Sequence, residues 1–366
     1  MGSLLEDTLD HLRHLVAFDT QNPPRAMSAD GVFAYLERAL GPAFTVAIDD
    51  LGDGCVNLYA VRGAPKLLFN FHIDTVPKNP AWTRDPFELV VEGDRAVGLG
   101  ACDIKGAAAA MLAAVACAPG DVALLFSSDE EAGQGRCVRR WLEQHGGEPL
   151  EGVVVAEPTR GQAVLAHRGI GTGTMVFEGR PGHASSARAL KDSAVHEAVR
   201  WGARALERAE HDESVTSEGL SGLRLNLGRI EGGEKPNMIA AECRVRFGVR
   251  PPPGLSPKAL LEELAALTDP KERARLEPGF LGPTLPAQSA QLDEGRALAR
   301  RLSLEEGSAV DFWTEASLFS DAGHPALVYG PGDIAQAHTA DEWVRLAELE
   351  SAAATYLRVL GGGHDP

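Results

Sequence analysis

LFNFHIDTVP, residues 68–77, is an apolar run that ends in His72 and Asp74 ahead of Pro77. A strand covered on both faces reads as a nearly continuous hydrophobic run, so Lys66 to Ile73 predicts a buried strand. Its end carries an imidazole and a carboxylate, both costly to bury without partners. The pattern repeats on either side. LYAVRG, an Ala-rich helix after Asp103, VALLFSS, a helical stretch near 136–145 and GVVVAEP alternate strand and helix, which predicts an α/β sheet flanked by helices.

After His167 the character changes. GTGTMVFEG and GLRLNLGRI alternate like half-exposed strands, SAVHEAVRWGARALERA reads as a helix, ECRVRFGV as a strand and SPKALLEELAAL as a second helix. This β-α-β-β-α-β order predicts an α+β, ferredoxin-like domain at 168–280, inserted into a first domain made of 1–167 and 281–366. The α/β pattern resumes with a helix near 292–302, the strand PALVYGP and a last helix. Thr339-Ala340-Asp341-Glu342 reads as the capping box of that helix.

Composition narrows the partners. The 366 residues carry a formal net charge of -17, which argues against nucleic acid or an anionic membrane, since both require a basic surface. Five cysteines, an odd number with no CxxC pair, give neither a disulfide framework nor a cysteine zinc site, so reduced thiols in a cytoplasmic protein are expected. The longest apolar run, Ala107–Ala118, is 12 residues. Crossing a bilayer takes roughly 20, so no membrane span is expected. The N-terminal stretch is acidic with leucines at helical spacing, which predicts an amphipathic first helix rather than a signal peptide; His11 and His14 fall on its surface face.

Ligands of an open α/β sheet gather beyond the carboxyl ends of the strands. The residues there are consistently polar: His72 and Asp74, Asp103, then Asp129, Glu130 and Glu131, then Glu157, and His338 after the last strand. Taken singly, Asp103 would serve as a helix N-cap and Glu130-Glu131 as a solvated turn. Taken together, carboxylates so crowded repel one another unless cations lie among them. Two divalent metals would resolve the conflict, and imidazole mixed with carboxylate suits zinc, with cobalt or manganese also compatible. Asp74 would then accept the second ring N–H of His72 and orient it.

HIDTVP, GLGACDIKGAAAA, SSDEEAG, VVVAEPT, GRPGHAS and AHTADEW resemble, in order, the motifs of the dinuclear zinc amidohydrolases, the family of acetylornithine deacetylases, succinyl-diaminopimelate desuccinylases, aminoacylases and carboxypeptidase G. The resemblance spans most of the chain and implies a zinc-peptidase-like catalytic domain interrupted by a lid and dimerisation domain. It implies that Asp103 bridges two Zn2+ ions, replaceable by Co2+, with His72 and Glu157 completing one site and Glu131 and His338 the other. Glu130 would be the general acid/base. His183, in GRPGHAS, would reach the partner subunit's active site in a homodimer, and Asn237 and Arg250 would hold the substrate. The activity implied is hydrolysis of an N-acetyl amino acid, acetylornithine or acetylcitrulline, releasing acetate in arginine biosynthesis. Desuccinylation and dipeptide hydrolysis are the nearest alternatives. Lys235 disfavours a cationic substrate tail, whereas Glu315 or Asp311 could supply an anion for one.

Overall fold

The computed structural model describes residues 3–24, 27–214, 216–268 and 273–362. They divide into two compact units: Met1–Leu165, Ala290–Ser308 and Thr314–Pro366 form the first, Ala166–Ser289 and Ala309–Trp313 the second.

In the first unit six strands form one sheet, in the order Thr45–Asp50, Val56–Arg62, Val122–Ser127, Leu67–His72, Gly152–Val155 and Ala326–Val328. The two pairings made by Val56–Arg62 are antiparallel, and the other three are parallel. Leu67–His72 therefore sits between two parallel neighbours, and from Leu68 to His72 it is buried throughout, which is why its sequence is apolar without alternation. Parallel pairing also brings the carboxyl ends of four strands to one edge.

Behind the sheet the Lys105–Cys117 helix is buried from Lys105 to Val115. A helix apolar on every side belongs in an interior, and its alanines allow close approach to the Leu4–Ala17 and Leu346–Leu360 helices. Gly106 shows how close: a Cβ there would lie 2.4 Å from the Ala101 carbonyl oxygen. The first helix is closed by a capping box in which Ser3 and Glu6 bond each other's backbone N–H.

The second unit holds an antiparallel four-stranded sheet in the order Arg224–Gly232, Glu242–Arg250, Ile170–Glu178 and Ala274–Gly282. The Ala194–His211 and Pro257–Ala265 helices pack Trp201, Leu260 and Leu264 against Met175, Phe177, Val245 and Phe247. Trp201 Nε1 donates to the Leu264 carbonyl at 2.8 Å. The other face of the sheet carries polar residues. This unit is wider than the 168–280 segment expected from the sequence, because the chain returns to it at Ala309–Trp313. There Asp311 pairs with Arg168, a contact no local pattern announces.

Two capping assignments fail. The last helix starts at Leu346 with Arg345 as N-cap and no side-chain cap, and the Thr339 hydroxyl donates instead to the Gln336 carbonyl. Likewise the N-cap of the Ala-rich helix is Ile104, not Asp103. Both acidic residues are committed elsewhere, as described below. None of the five cysteines forms a disulfide. Among the described residues no helix is long and apolar enough to cross a membrane.

Candidate metal centre

Asp103 stands between two imidazoles. Its Oδ1 lies 3.1 Å from His72 Nε2 and its Oδ2 lies 3.3 Å from His338 Nε2. On the first side Glu157 Oε1 is 3.9 Å from His72 Nε2, and on the second Glu131 Oε1 is 2.9 Å from His338 Nε2. His72, Asp103 and Glu157 thus form one donor set and Asp103, Glu131 and His338 another, with the ligand atoms of each set within 4.8 Å of one another. Leu67–His72 delivers the first histidine from its last residue. Glu131 follows Val122–Ser127, Glu157 follows Gly152–Val155, and His338 lies beyond Ala326–Val328. His338 holds a φ of 61°, a left-handed conformation uncommon for a non-glycine residue and characteristic of functional sites.

The electrostatics of the cluster call for cations. Burial raises the pKa of Glu130 well above the carboxylate range, and the charges of Glu131 and Glu157 raise it further. Glu157 is raised in the same way by burial and Asp103, and Glu131 by burial and Asp103 against its bond to His338. Bonding to Asp103 and Glu131 lifts His338 to about 10. Burial alone would lower the His72 pKa, but Asp103, Asp74 and Glu157 carry it well above the ordinary value. Protons here stand in for positive charge that the donor sets are built to receive. Two nitrogen and oxygen sets sharing one carboxylate fit a pair of divalent ions. Glu130 belongs to neither set.

A surrounding layer fixes these ligands. The Asp74 carboxylate does not take the ring N–H expected of it: His72 Nδ1 lies 3.1 Å from the Asp74 backbone oxygen and 3.6 Å from Oδ1. Its Oδ2 instead accepts from the Glu131 backbone N–H at 2.9 Å and from Asn22 Nδ2 at 3.2 Å, so Asp74 holds the loop that carries Glu130 and Glu131. Glu342, buried, accepts from the backbone N–H of Gly100, Cys102 and Asp103 at 2.8–3.0 Å. Burial and the Asp103 charge push it up to about 7 against those three bonds. Lys105 Nζ donates to the Phe18 carbonyl, and burial brings it down to about 7. Asp129 accepts from the N–H groups of Arg136 and Cys137 and so anchors the helix after the loop that carries Glu130 and Glu131.

Glu315 is also buried, bonded by Asn70 Nδ2 at 2.7 Å and by the Ser127 hydroxyl at 2.9 Å. Asp311 is taken up by Arg168. Neither is a free anion for a substrate tail. Sequence reasoning missed the structural parts played by Glu342, Glu315 and Arg168. The one signal for Glu342 was its place four residues after His338, and that was absorbed by a local helix-cap pattern.

The remaining candidates belong to the second unit. His183 is exposed, its Nδ1 2.7 Å from Ser185 Oγ, and it pairs in register with Met238 beside Asn237, whose carbonyl accepts from Ala184 N–H. Arg250 ends the Glu242–Arg250 strand.

Comparison with known proteins shows the family and the fold. The profile of Peptidase family M20/M25/M40 matches residues 68–361. The N-acetyl-L-citrulline deacetylase of Xanthomonas campestris pv. campestris is 52% identical over 370 residues, covering 100% of both chains. The acetylornithine deacetylase of Myxococcus xanthus is 32% identical over 97% of this chain and 98% of its own. Among solved structures, the aminopeptidase PepT of Bacillus cereus superposes with a TM-score of 0.75 at 18% identity over 98% of each chain. The YXEP protein of Bacillus subtilis, a dinuclear metal binding peptidase, superposes with a TM-score of 0.67 at 14% identity over 98% of this chain and 97% of its own. These two show the shared fold.

Proposed function

The chain belongs to peptidase family M20/M25/M40, and we propose that it is a two-metal amidohydrolase that removes the acetyl group from N-acetyl-L-citrulline and N-acetylornithine in arginine biosynthesis. The observation that carries this reading is Asp103 facing one imidazole with each oxygen while the half-buried Glu130 stands outside both donor sets. Zinc is the metal proposed, with cobalt able to substitute, and the cytoplasm the compartment, in keeping with five cysteines that form no disulfide.

Bound by His72, Asp103 and Glu157 on one side and Asp103, Glu131 and His338 on the other, two such ions supply the Lewis acidity that makes water a nucleophile near neutral pH and polarises an amide carbonyl. The protein's own part is proton movement and positioning. Glu130, whose carboxyl is held above the usual range by burial and by the charges of Glu131 and Glu157, takes a proton from the attacking water and gives it to the departing nitrogen. Asp74 and Glu342 keep the ligand-bearing loops still. His183 donates to the oxyanion of the tetrahedral species, and Asn237 and Arg250 hold the substrate.

We further propose a homodimer through the second unit. Val199 and Leu206 on the Ala194–His211 helix are 61% and 43% exposed, and Ile230 on the adjacent edge strand is 55% exposed, an apolar strip that a second copy would cover. Acetate release from zinc-loaded protein tests the activity. Acetylcitrulline should turn over with kcat/KM at least equal to that of acetylornithine, since Glu315 and Asp311 are both engaged by other side chains. Cleavage of succinyl-diaminopimelate or a dipeptide with no acetyl-amino-acid hydrolysis would refute the reading.

A further inference from the structure

GRPGHAS, residues 179–185, brings His183 to an exposed position on the second unit, and the residues around it hold the ring in one chemical form. His183 lies in a two-stranded ribbon opposite Met238, and the Ala184 N–H donates to the Asn237 carbonyl at 3.0 Å. The ring turns back on its own loop: the Ser185 N–H donates to His183 Nδ1 at 3.3 Å, and Ser185 Oγ lies 2.7 Å from the same nitrogen. A backbone N–H can only donate, so Nδ1 is the lone-pair nitrogen of the neutral ring and the ring proton sits on Nε2. The Ser185 hydroxyl then donates to Nδ1 as well. Among the described residues Nε2 has no hydrogen-bond partner, so the imidazole presents an uncommitted N–H.

The backbone that carries the ring is fastened by one guanidinium. Arg188 Nη1 donates to the Arg180 carbonyl at 2.9 Å and Nη2 to the Pro181 carbonyl at 2.8 Å, while Nη1 also meets Asp192 Oδ2 at 2.7 Å. Arg273 holds the other oxygen of Asp192 at 3.2 Å and bonds the Glu178 and Lys191 carbonyls. The Arg188 fork thus spans the two carbonyls immediately ahead of Gly182 and His183, which the point charge of a lysine would not do. Gly182 is fitted to this arrangement. Its φ lies outside the left-handed region, so the backbone does not demand glycine, but a Cβ there would lie 2.3 Å from Arg188 Nη2. The missing side chain leaves the guanidinium its seat. Arg188 is exposed, and ion pairs at such positions contribute little to stability. What the clamp fixes is the place of His183.

We propose that Ser185 and Arg188 are positioning residues for His183: Ser185 keeps the ring proton on Nε2, and Arg188 keeps the loop that carries the ring in place, so that His183 meets its ligand as a neutral hydrogen-bond donor. Neither touches the reacting atoms. An imidazole whose Nε2–H is set before the ligand arrives needs no change of tautomer or backbone as charge develops on an oxygen. The kinetic consequence rests on the reading of His183 as donor to the oxyanion; the tautomer does not.

Two measurements on zinc-loaded protein test the proposal. The first is nitrogen NMR of protein carrying isotope-labelled histidine, with the His183 signals identified by their absence from His183→Ala. The neutral wild-type ring should show a protonated Nε2 and a lone-pair Nδ1. Ser185→Thr should keep that pattern, Ser185→Ala should shift the Nδ1 resonance through loss of one donor, and Arg188→Met should move the His183 signals without changing the tautomer. The second is steady-state kinetics on N-acetylcitrulline. Ser185→Ala should lower kcat about 3- to 10-fold, the range of one neutral hydrogen bond, with KM within twofold, and Ser185→Thr should restore it. Arg188→Met should lower kcat about 10- to 100-fold, the range for hydrogen bonds from a charged group, and Arg188→Lys should recover part of the loss. Gly182→Ala should reproduce Arg188→Met, because its methyl group displaces the guanidinium. A wild-type ring protonated on Nδ1, or an unchanged Nδ1 resonance in Ser185→Ala, overturns the part given to Ser185. Unmoved His183 signals and wild-type kcat in Arg188→Met and Gly182→Ala overturn the part given to Arg188. If His183→Ala itself turns over normally while the His183 signals respond to Ser185→Ala and Arg188→Met, the positioning stands and the oxyanion reading alone falls. Ser185 and Arg188 are both exposed, so their variants are expected to fold.

Discussion

Glu130 and Glu131 are neighbours in sequence with different tasks: one points its carboxylate at His338, and the other stays outside both donor sets. Glu130→Gln should therefore keep two metals by elemental analysis and lose on the order of 10²- to 10⁴-fold in kcat. Near-normal turnover with full metal content would remove Glu130 from the mechanism. His338→Ala should instead lower the metal stoichiometry. Glu342 offers a different outcome, since its carboxylate serves three backbone N–H groups of the loop that ends in Asp103. Glu342→Ala should cost on the order of 3 kcal/mol in denaturant unfolding, by orphaning buried donors. It should also weaken metal binding about 10- to 100-fold, as loss of a ligand's support does. Unchanged metal affinity would confine Glu342 to stability. Glu315 predicts a pH dependence. Burial and the Asp129 charge lift it from 4.5 to about 8, so the folded state holds its proton more tightly than the unfolded state. Its contribution to stability is thus complete below about 4.5 and is lost as pH rises through about 8. In chelated protein, Glu315→Gln should gain in Tm relative to wild type across that window, and parallel Tm profiles would show that Glu315 is ionised throughout. The sequence displayed the metal-binding candidates because each follows a strand or opens a helix. Glu342, Glu315 and Arg168 were hidden because their partners lie in distant segments.

At the scale of elements, the period of hydrophobicity was sufficient to place most strands and helices, because each buries a defined face. The Leu67–His72 strand was readable as central from its lack of alternation, and the Ile170–Glu178 strand as half-exposed from its alternation. Helix starts were less legible: Thr-x-x-Glu is a cap only if its glutamate has no better partner, and Glu342 has one. The Lys105–Cys117 helix sets propensity against packing. Ala is favoured over Gly by about 1 kcal/mol in a helix interior. At position 106, however, the added methyl group would press on the Ala101 carbonyl at 2.4 Å, in the loop just before Asp103. Gly106→Ala should accordingly destabilise the protein by more than about 1 kcal/mol in equilibrium unfolding and reduce metal content. A stabilised variant would mean that the loop yields freely.

For the whole molecule, a net charge of -17 argues against nucleic acid as a partner but says nothing of how the charges are shared between the two units. The proposed dimer yields a test at this scale. Mixing inactive Glu130→Gln and His183→Ala subunits should restore part of the activity, because one hybrid site then receives both intact groups. No recovery after verified subunit exchange would place His183 in service of its own chain. The clamp that Glu342 makes on the loop before Asp103 also bears on how the enzyme is made. A ribosome produces His72, Asp103, Glu131 and Glu157 long before His338 and Glu342, and at about 5 to 20 residues per second the interval is on the order of ten seconds or more. A nascent chain in that interval has one complete donor set with an unclamped bridge and a second set lacking its histidine. Occupancy of both proposed sites therefore waits on the segment that carries His338, and a chain that terminates before residue 338 lacks one ligand of the second donor set.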